Sequence, residues 1–151
     1  RTGTLSQGTA GVHPPAGSVA SYAVGDAAAA LDGIRYGRAE LTFVVGIHST
    51  CSYCGESMPS IASLQRLTTD SRGRTQFVVV SGESTRRTRA YLASFHLTPE
   101  WVVNVPTSSP YVRSTPSFYV VDNSGTVQAL WIGAIRQHNE ASAWKQLGLA
   151  P

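Results

Sequence analysis

The sequence predicts a single α/β domain with a mixed central sheet flanked by helices, in the order βαβα and then ββα, with a short N-terminal strand extension. Three observations carry that prediction. LTFVVGI at 41–47 is a continuous apolar run rich in β-branched and aromatic residues, TQFVVVS at 75–81 reads as a second buried strand, and a helical pattern follows each. Such runs mark strands buried on both faces, as in the interior of a parallel sheet. Parallel strands in one sheet are joined by right-handed crossovers. Late in the chain, PSFYVVD and TVQALWIG flank Asn123-Ser124-Gly125, the pattern of a hairpin with a short glycine-containing loop.

Residues 1–20 are rich in Gly, Ser, Thr, Ala and Pro and have no apolar periodicity, so they read as a flexible linker or arm ahead of a domain over 21–151. Gly25, Gly33 and Gly37 punctuate the next stretch, and a short strand is expected near Ile34–Tyr36. After the first apolar run, Met58, Ile61, Leu64 and Leu67 recur every three residues and share one helical face, which Ser71-Arg72-Gly73 ends. Tyr91, Leu92 and Phe95 mark a second helix that ends before Pro99, with Arg86, Arg87 and Arg89 at its solvated start. WVVNV at 101–105 precedes a loop rich in Pro and Ser. The last helix places Ala141, Trp144 and Leu147 on one face and Gly148 at its C-cap. Trp101, Trp131 and Trp144 are expected in the core or in groove walls.

A chain of 151 residues suits one domain, and 42% hydrophobic residues suffice for an ordinary core. Only 14% of residues are charged, and the net charge of +3 is too small to argue for nucleic acid. The basic residues are eleven arginines and one lysine, mostly scattered. No apolar stretch reaches the roughly 18 residues that a membrane-spanning helix needs. A monomer without a cofactor is expected.

Both cysteines, Cys51 and Cys54, fall in STCSYCGESMP at 49–59, at the C-terminal end of the first buried strand. Two cysteines are no disulfide scaffold, and a staple across a two-residue gap would constrain the unfolded chain little. A redox disulfide or two thiolates of a metal site remain. A cysteine that ends a strand and opens a helix meets free backbone N–H groups and the helix dipole, both of which favour thiolate. Cys51 is then the exposed attacker and Cys54, one helical turn on, the more buried resolver.

With these residues in view, the chain resembles the thioredoxin superfamily over about residues 22–150. Cys51-Ser52-Tyr53-Cys54 looks like that family's active-site CxxC, and Pro59 is similar to the proline that kinks its first active-site helix. Ser114-Thr115-Pro116, just before a strand, looks like its cis-proline loop facing the disulfide, and the ββα ending also fits. VVVSGES at 78–84 resembles the strand end that carries an acidic residue in the TlpA/ResA-like thiol-disulfide oxidoreductases. The resemblance implies a thioredoxin-like fold and a reversible Cys51–Cys54 disulfide. It also implies substrate contact at Thr115 and Pro116, and a cis Thr115–Pro116 peptide. Partners would be disulfide-bearing or dithiol proteins and an upstream electron donor. The location would be periplasmic or otherwise extracytoplasmic, either free or tethered by a membrane segment upstream of residue 1.

The chain departs from the family pattern twice. Thr50 stands where the family often has tryptophan before the first cysteine, and Val45 stands where thioredoxin has a buried acid. Glu83 is left as the expected proton acceptor for Cys54. It ends a strand that should neighbour the one carrying the CxxC. That would set its carboxylate under the site with a raised pKa. Tyr53 is either a partner contact or a surface aromatic, and His48 either stabilises a thiolate or simply ends the strand.

Two other functions compete. A copper-binding or delivery protein could use the same two thiolates, but His13, His48, His96 and His138 lack ligand spacing to the pair. A peroxide-reducing enzyme would normally have threonine three residues before its cysteine, where this chain has His48.

Overall fold

A computed structural model describes residues 21–149, so the arm expected at 1–20 lies outside the described residues. Five strands form one sheet: β1 (Leu41–Ile47), β2 (Thr75–Ser81), β3 (Trp101–Asn104), β4 (Ser117–Asp122) and β5 (Val127–Ile132). Their order is β3-β2-β1-β4-β5. The β1–β2 and β2–β3 pairs are parallel, whereas β1–β4 and β4–β5 are antiparallel. Central β1 is buried at every position after Leu41, as its unbroken apolar run requires.

Successive side chains of a strand point to opposite faces, and two cores follow. Phe43, Val45, Ile47, Phe77, Val79 and Phe118 face the helices. Those are α1 (Ser52–Glu56), α2 (Met58–Asp70), α3 (Thr85–Ala93) and α4 (Glu140–Gln146). Met58, Ile61, Leu64, Leu92, Ala143 and Leu147 complete this core. On the other face Val44, Val78, Val80 and Tyr119 meet Leu31, Ile34, Val103 and Tyr111. No helix of the described residues is long and apolar enough to cross a membrane.

Four local features differ from the expectation. Residues 34–36 form no strand. The Ile34 N–H bonds back to the Leu31 carbonyl, Gly33 has φ +79°, and a 3-10 turn follows at Tyr36–Arg38. The N-terminal segment touches the sheet through one bridge, Ala27 to Thr126, and covers the second core by side-chain packing instead. WVVN forms a third parallel strand at the edge, so the parallel part is βαβαβ. Leu67 is 44% exposed, and Ala141 is exposed while Ala143 is buried.

The remaining turns form as their residues dictate. Arg72 and Gly73, at φ +56° and +85°, end α2. In the hairpin, Asp122 Oδ1 accepts from the N–H groups of Ser124 and Thr126.

Candidate functional site

β1 delivers the chain to residues 48–50, and Cys51 is the N-cap of α1. The Cys51 N–H donates to the His48 carbonyl at 3.1 Å, and the Cys54 N–H donates to Cys51 Sγ at 3.2 Å. Cys51 is half-buried and Cys54 buried, and both are free thiols. Helix α1 breaks from α2 at Ser57, and Pro59 lies in the first turn of α2, where its missing N–H costs nothing. Ser57 Oγ ties the break to the C-terminal part of the fold: it donates to the Tyr53 carbonyl and accepts from the Ile135 N–H.

The loop before β4 closes the site from the other side. The Thr115–Pro116 peptide is cis, and the Cys51 thiol donates to the Thr115 carbonyl at 3.4 Å. Thr115 is half-buried and Pro116 buried. The loop is seated by a 3-10 turn, Pro110–Val112, whose Tyr111 carbonyl accepts from Ser117 Oγ and presses on Gly46 in β1. A Cβ on Gly46 would collide with that carbonyl. Gly46 was not among the residues expected at the site. A glycine inside a strand pattern was the available signal, since it marks close backbone approach. A cavity of about 160 Å³ opens beside Thr115, lined by Ile47, His48, Gly82, Thr107 and Val112.

The two thiols differ in their surroundings. Burial, and next the hydrogen bond to Cys51, push the Cys54 thiol up to about 12. At pH 7 Cys54 is therefore almost wholly protonated. Cys51 is the sulfur that solvent and a partner can reach.

Glu83 lies beside the loop that leads into Cys51, but its charge state differs from the expectation. Its carboxylate accepts from the Ser49 N–H at 2.9 Å and from Ser49 Oγ at 2.7 Å. It also pairs with Arg87 Nε at 3.0 Å and lies 3.8 Å from His48 Nε2. Burial raises its pKa, but the two Ser49 hydrogen bonds, with His48 and Arg87, outweigh burial and leave it below the ordinary carboxylate value. Glu83 is thus an ionised anchor for the loop before Cys51. The expected raised pKa is reversed because four donors or cations converge on a carboxylate whose side chain is 12% exposed. Ser84, its neighbour, caps α3 by accepting from the Arg87 N–H.

His48 Nδ1 meets the Thr50 N–H and hydroxyl, which bends the loop over. Tyr53 is 55% exposed next to the cysteines, beneath the Arg136 guanidinium, which also pairs with Glu56. Among the described residues no group of three or more His, Cys, Asp or Glu side chains gathers as a metal site.

No protein-family model matches the chain, and no curated protein matches its sequence. Solved structures do. A protein assigned as thiol:disulfide interchange protein DsbE from Chlorobium tepidum aligns with TM-score 0.63 and 22% identity, over 83% of this chain and 96% of that one. The thioredoxin domain of a thiol-disulfide oxidoreductase from Bacteroides vulgatus aligns with TM-score 0.59 and 18% identity, over 79% and 93%. StoA from Bacillus subtilis aligns with TM-score 0.53 and 15% identity, over 68% and 81%. The likeness establishes a thioredoxin-like fold.

Proposed function

We propose that this chain is a thiol-disulfide oxidoreductase that reduces disulfides of partner proteins through Cys51 and Cys54, outside the cytoplasm. The observation that carries the reading is the half-buried Cys51 sulfur, set against the Thr115 carbonyl and one turn from a wholly buried, protonated Cys54. The names of the structural neighbours, among them an interchange protein and an oxidoreductase, point the same way.

The reaction balances without a cofactor. The Cys51 thiolate attacks one sulfur of a partner disulfide, and the partner's other sulfur leaves as thiolate and takes up a proton. A mixed disulfide now joins Cys51 to the partner. Cys54 loses its proton and attacks the Cys51 sulfur, which frees the partner's second thiol. The partner gains two electrons and two protons, and the protein ends as the Cys51–Cys54 disulfide. An upstream dithiol donor must restore the reduced form. The backbone at Thr115 and the Tyr53 ring serve as the partner-binding edge.

An insulin-reduction assay with a dithiol donor tests the reading. Wild-type protein accelerates precipitation, Cys51→Ser abolishes the effect, and Cys54→Ser traps mixed disulfides. Cu(I) titration of the reduced protein, run beside it, separates electron exchange from metal delivery. Tight Cu(I) binding with no turnover overturns the proposal.

A further inference from the structure

Charged residues stand at both ends of the sheet. Ile47, Ser81 and Asn104 are level with one another at the end that carries the CxxC, and Ser117 and Ile132 lie one position away, level with Gly46. At the opposite end Glu40, which precedes β1, Asp70, which ends α2, and Asp122, which ends β4, lie with Arg74, which precedes β2. Near the cysteines the carboxylates are already engaged. Glu83 is held by Arg87, Glu56 by Arg136, and Glu140 accepts from the Ser60 hydroxyl at 2.7 Å.

Two arginines at this end have no such partner. Arg113 is exposed two residues before Thr115, and Arg86 is exposed in the first turn of α3, three residues after Glu83. Neither has a carboxylate within ion-pair distance among the described residues. Exposed apolar side chains also lie near the cysteines. Tyr53 is 55% exposed and Phe95 38% exposed. The Phe95 ring lies 3.7 Å from where a Cβ on Gly55 would stand, so it borders the turn that holds Cys54.

We propose that this end of the molecule selects acidic disulfide-bearing segments, with partner carboxylates received by Arg86 and Arg113 and an apolar partner side chain by Tyr53 and Phe95. The inference rests on the oxidoreductase reading and deepens it by naming the chemistry of the partner. Opposite charges across an encounter surface raise the association rate, and salt removes the advantage. Cations flanking the attacked disulfide therefore favour partners with Asp or Glu around it.

The test uses three cyclic disulfide peptides of one sequence, with Asp, Lys or Ser beside the cysteines. Reduced protein is mixed with each, and acid-quenched samples are resolved by chromatography. The Asp peptide is expected to react about tenfold faster than the Lys peptide at low ionic strength. At 1 M salt, where the screening length is about 3 Å, the two rates should converge. The Arg86→Ser/Arg113→Ser double variant should lose the preference and keep its rate with the Ser peptide. Equal rates with the Asp and Lys peptides, or a preference that survives in the double variant, would overturn the inference and leave the redox reading intact. No exchange with any peptide would overturn the redox reading, and this inference with it.

Discussion

Glu83 holds both the backbone N–H and the hydroxyl of Ser49, two residues before Cys51. A carboxylate on β2's side of the sheet thus fixes the loop through which β1 presents the nucleophile. Removing the charge should loosen the loop while leaving Cys54 its own proton chemistry.

Glu83→Gln is expected to destabilise the fold by about 1.5–3 kcal/mol at neutral pH, the range for hydrogen bonds to a charged group. Because the folded pKa is lowered, this contribution is present above the ordinary value of 4.5 and is lost as pH falls through the lower folded value. Urea denaturation should therefore show the wild-type advantage shrinking below pH 4.5. Resolution of the mixed disulfide should slow by less than about tenfold. A loss of 10² to 10⁴ would be the mark of a lost general base and would return Glu83 to the proton-acceptor role.

Reduced protein treated with iodoacetamide at pH 7 should be labelled at Cys51 long before Cys54. Burial keeps Cys54 protonated with its pKa near 12 and keeps reagent from it. Peptide mass spectrometry reads the order directly. Equal labelling of the two sulfurs would contradict both the burial and the assignment of the nucleophile.

Cys54 also links redox state to alkaline stability. Its folded pKa is raised from 9.0 to about 12, so its contribution to the dithiol form is complete below pH 9 and is lost as pH climbs towards 12. Tyr36, Tyr111 and Tyr119 are raised as well, by burial first, and they destabilise both redox forms alike at high pH. The disulfide form has no Cys54 proton to lose. Melting temperatures of the two forms, compared from about pH 7 to 11, should show the dithiol form falling faster above pH 9. Parallel curves would mean that Cys54 is not a buried thiol in solution.

Gly46→Ala adds one carbon near the C-terminal end of β1. It meets the Tyr111 carbonyl and Ser117 Oγ, neither of which can retreat without moving the turn that carries Thr115. Overpacking of this kind costs about 1–3 kcal/mol and occasionally more, and a backbone obstacle favours the upper end. Chemical denaturation measures the loss. A variant of unchanged stability would show that the Tyr111 carbonyl does not press on β1.

The legible parts of this sequence were those set by local pattern. LTFVVGI and TQFVVVS form strands over their full lengths, because a compact cluster of β-branched and aromatic residues has few alternatives inside a sheet. The CxxC, Pro59 and Ser114-Thr115-Pro116 lie where the resemblance to the thioredoxin superfamily implied. Features that depend on distant neighbours were less legible. Whether Glu83 is raised or lowered is decided by Ser49, Arg87 and His48, whose approach no local pattern records. Ile34–Tyr36 has strand-like residues, but Gly33 and the Leu31 carbonyl turn it away from the sheet. WVVN is too short to show a period, and Leu67 shares a helical face with buried residues yet lies towards the end of α2, where the core no longer covers it.

The position of β4 in the sheet has a consequence for the order in which the protein is made. Synthesis yields the CxxC more than sixty residues before Thr115, and β1 finds its parallel neighbour β2 well before its antiparallel neighbour β4. A chain emerging N-terminus first can therefore pair β1 with β2 while one edge of β1 stays open. Val45 meets Phe118, and Gly46 meets Ser117, only when the last third of the chain arrives. Until then Cys51 and Cys54 stand on a half-built sheet, without the Thr115 carbonyl and without the Ile135 segment that Ser57 secures. For that interval the nascent chain carries two adjacent sulfurs open to any oxidant or thiol it meets, before it has acquired the surface that chooses among them.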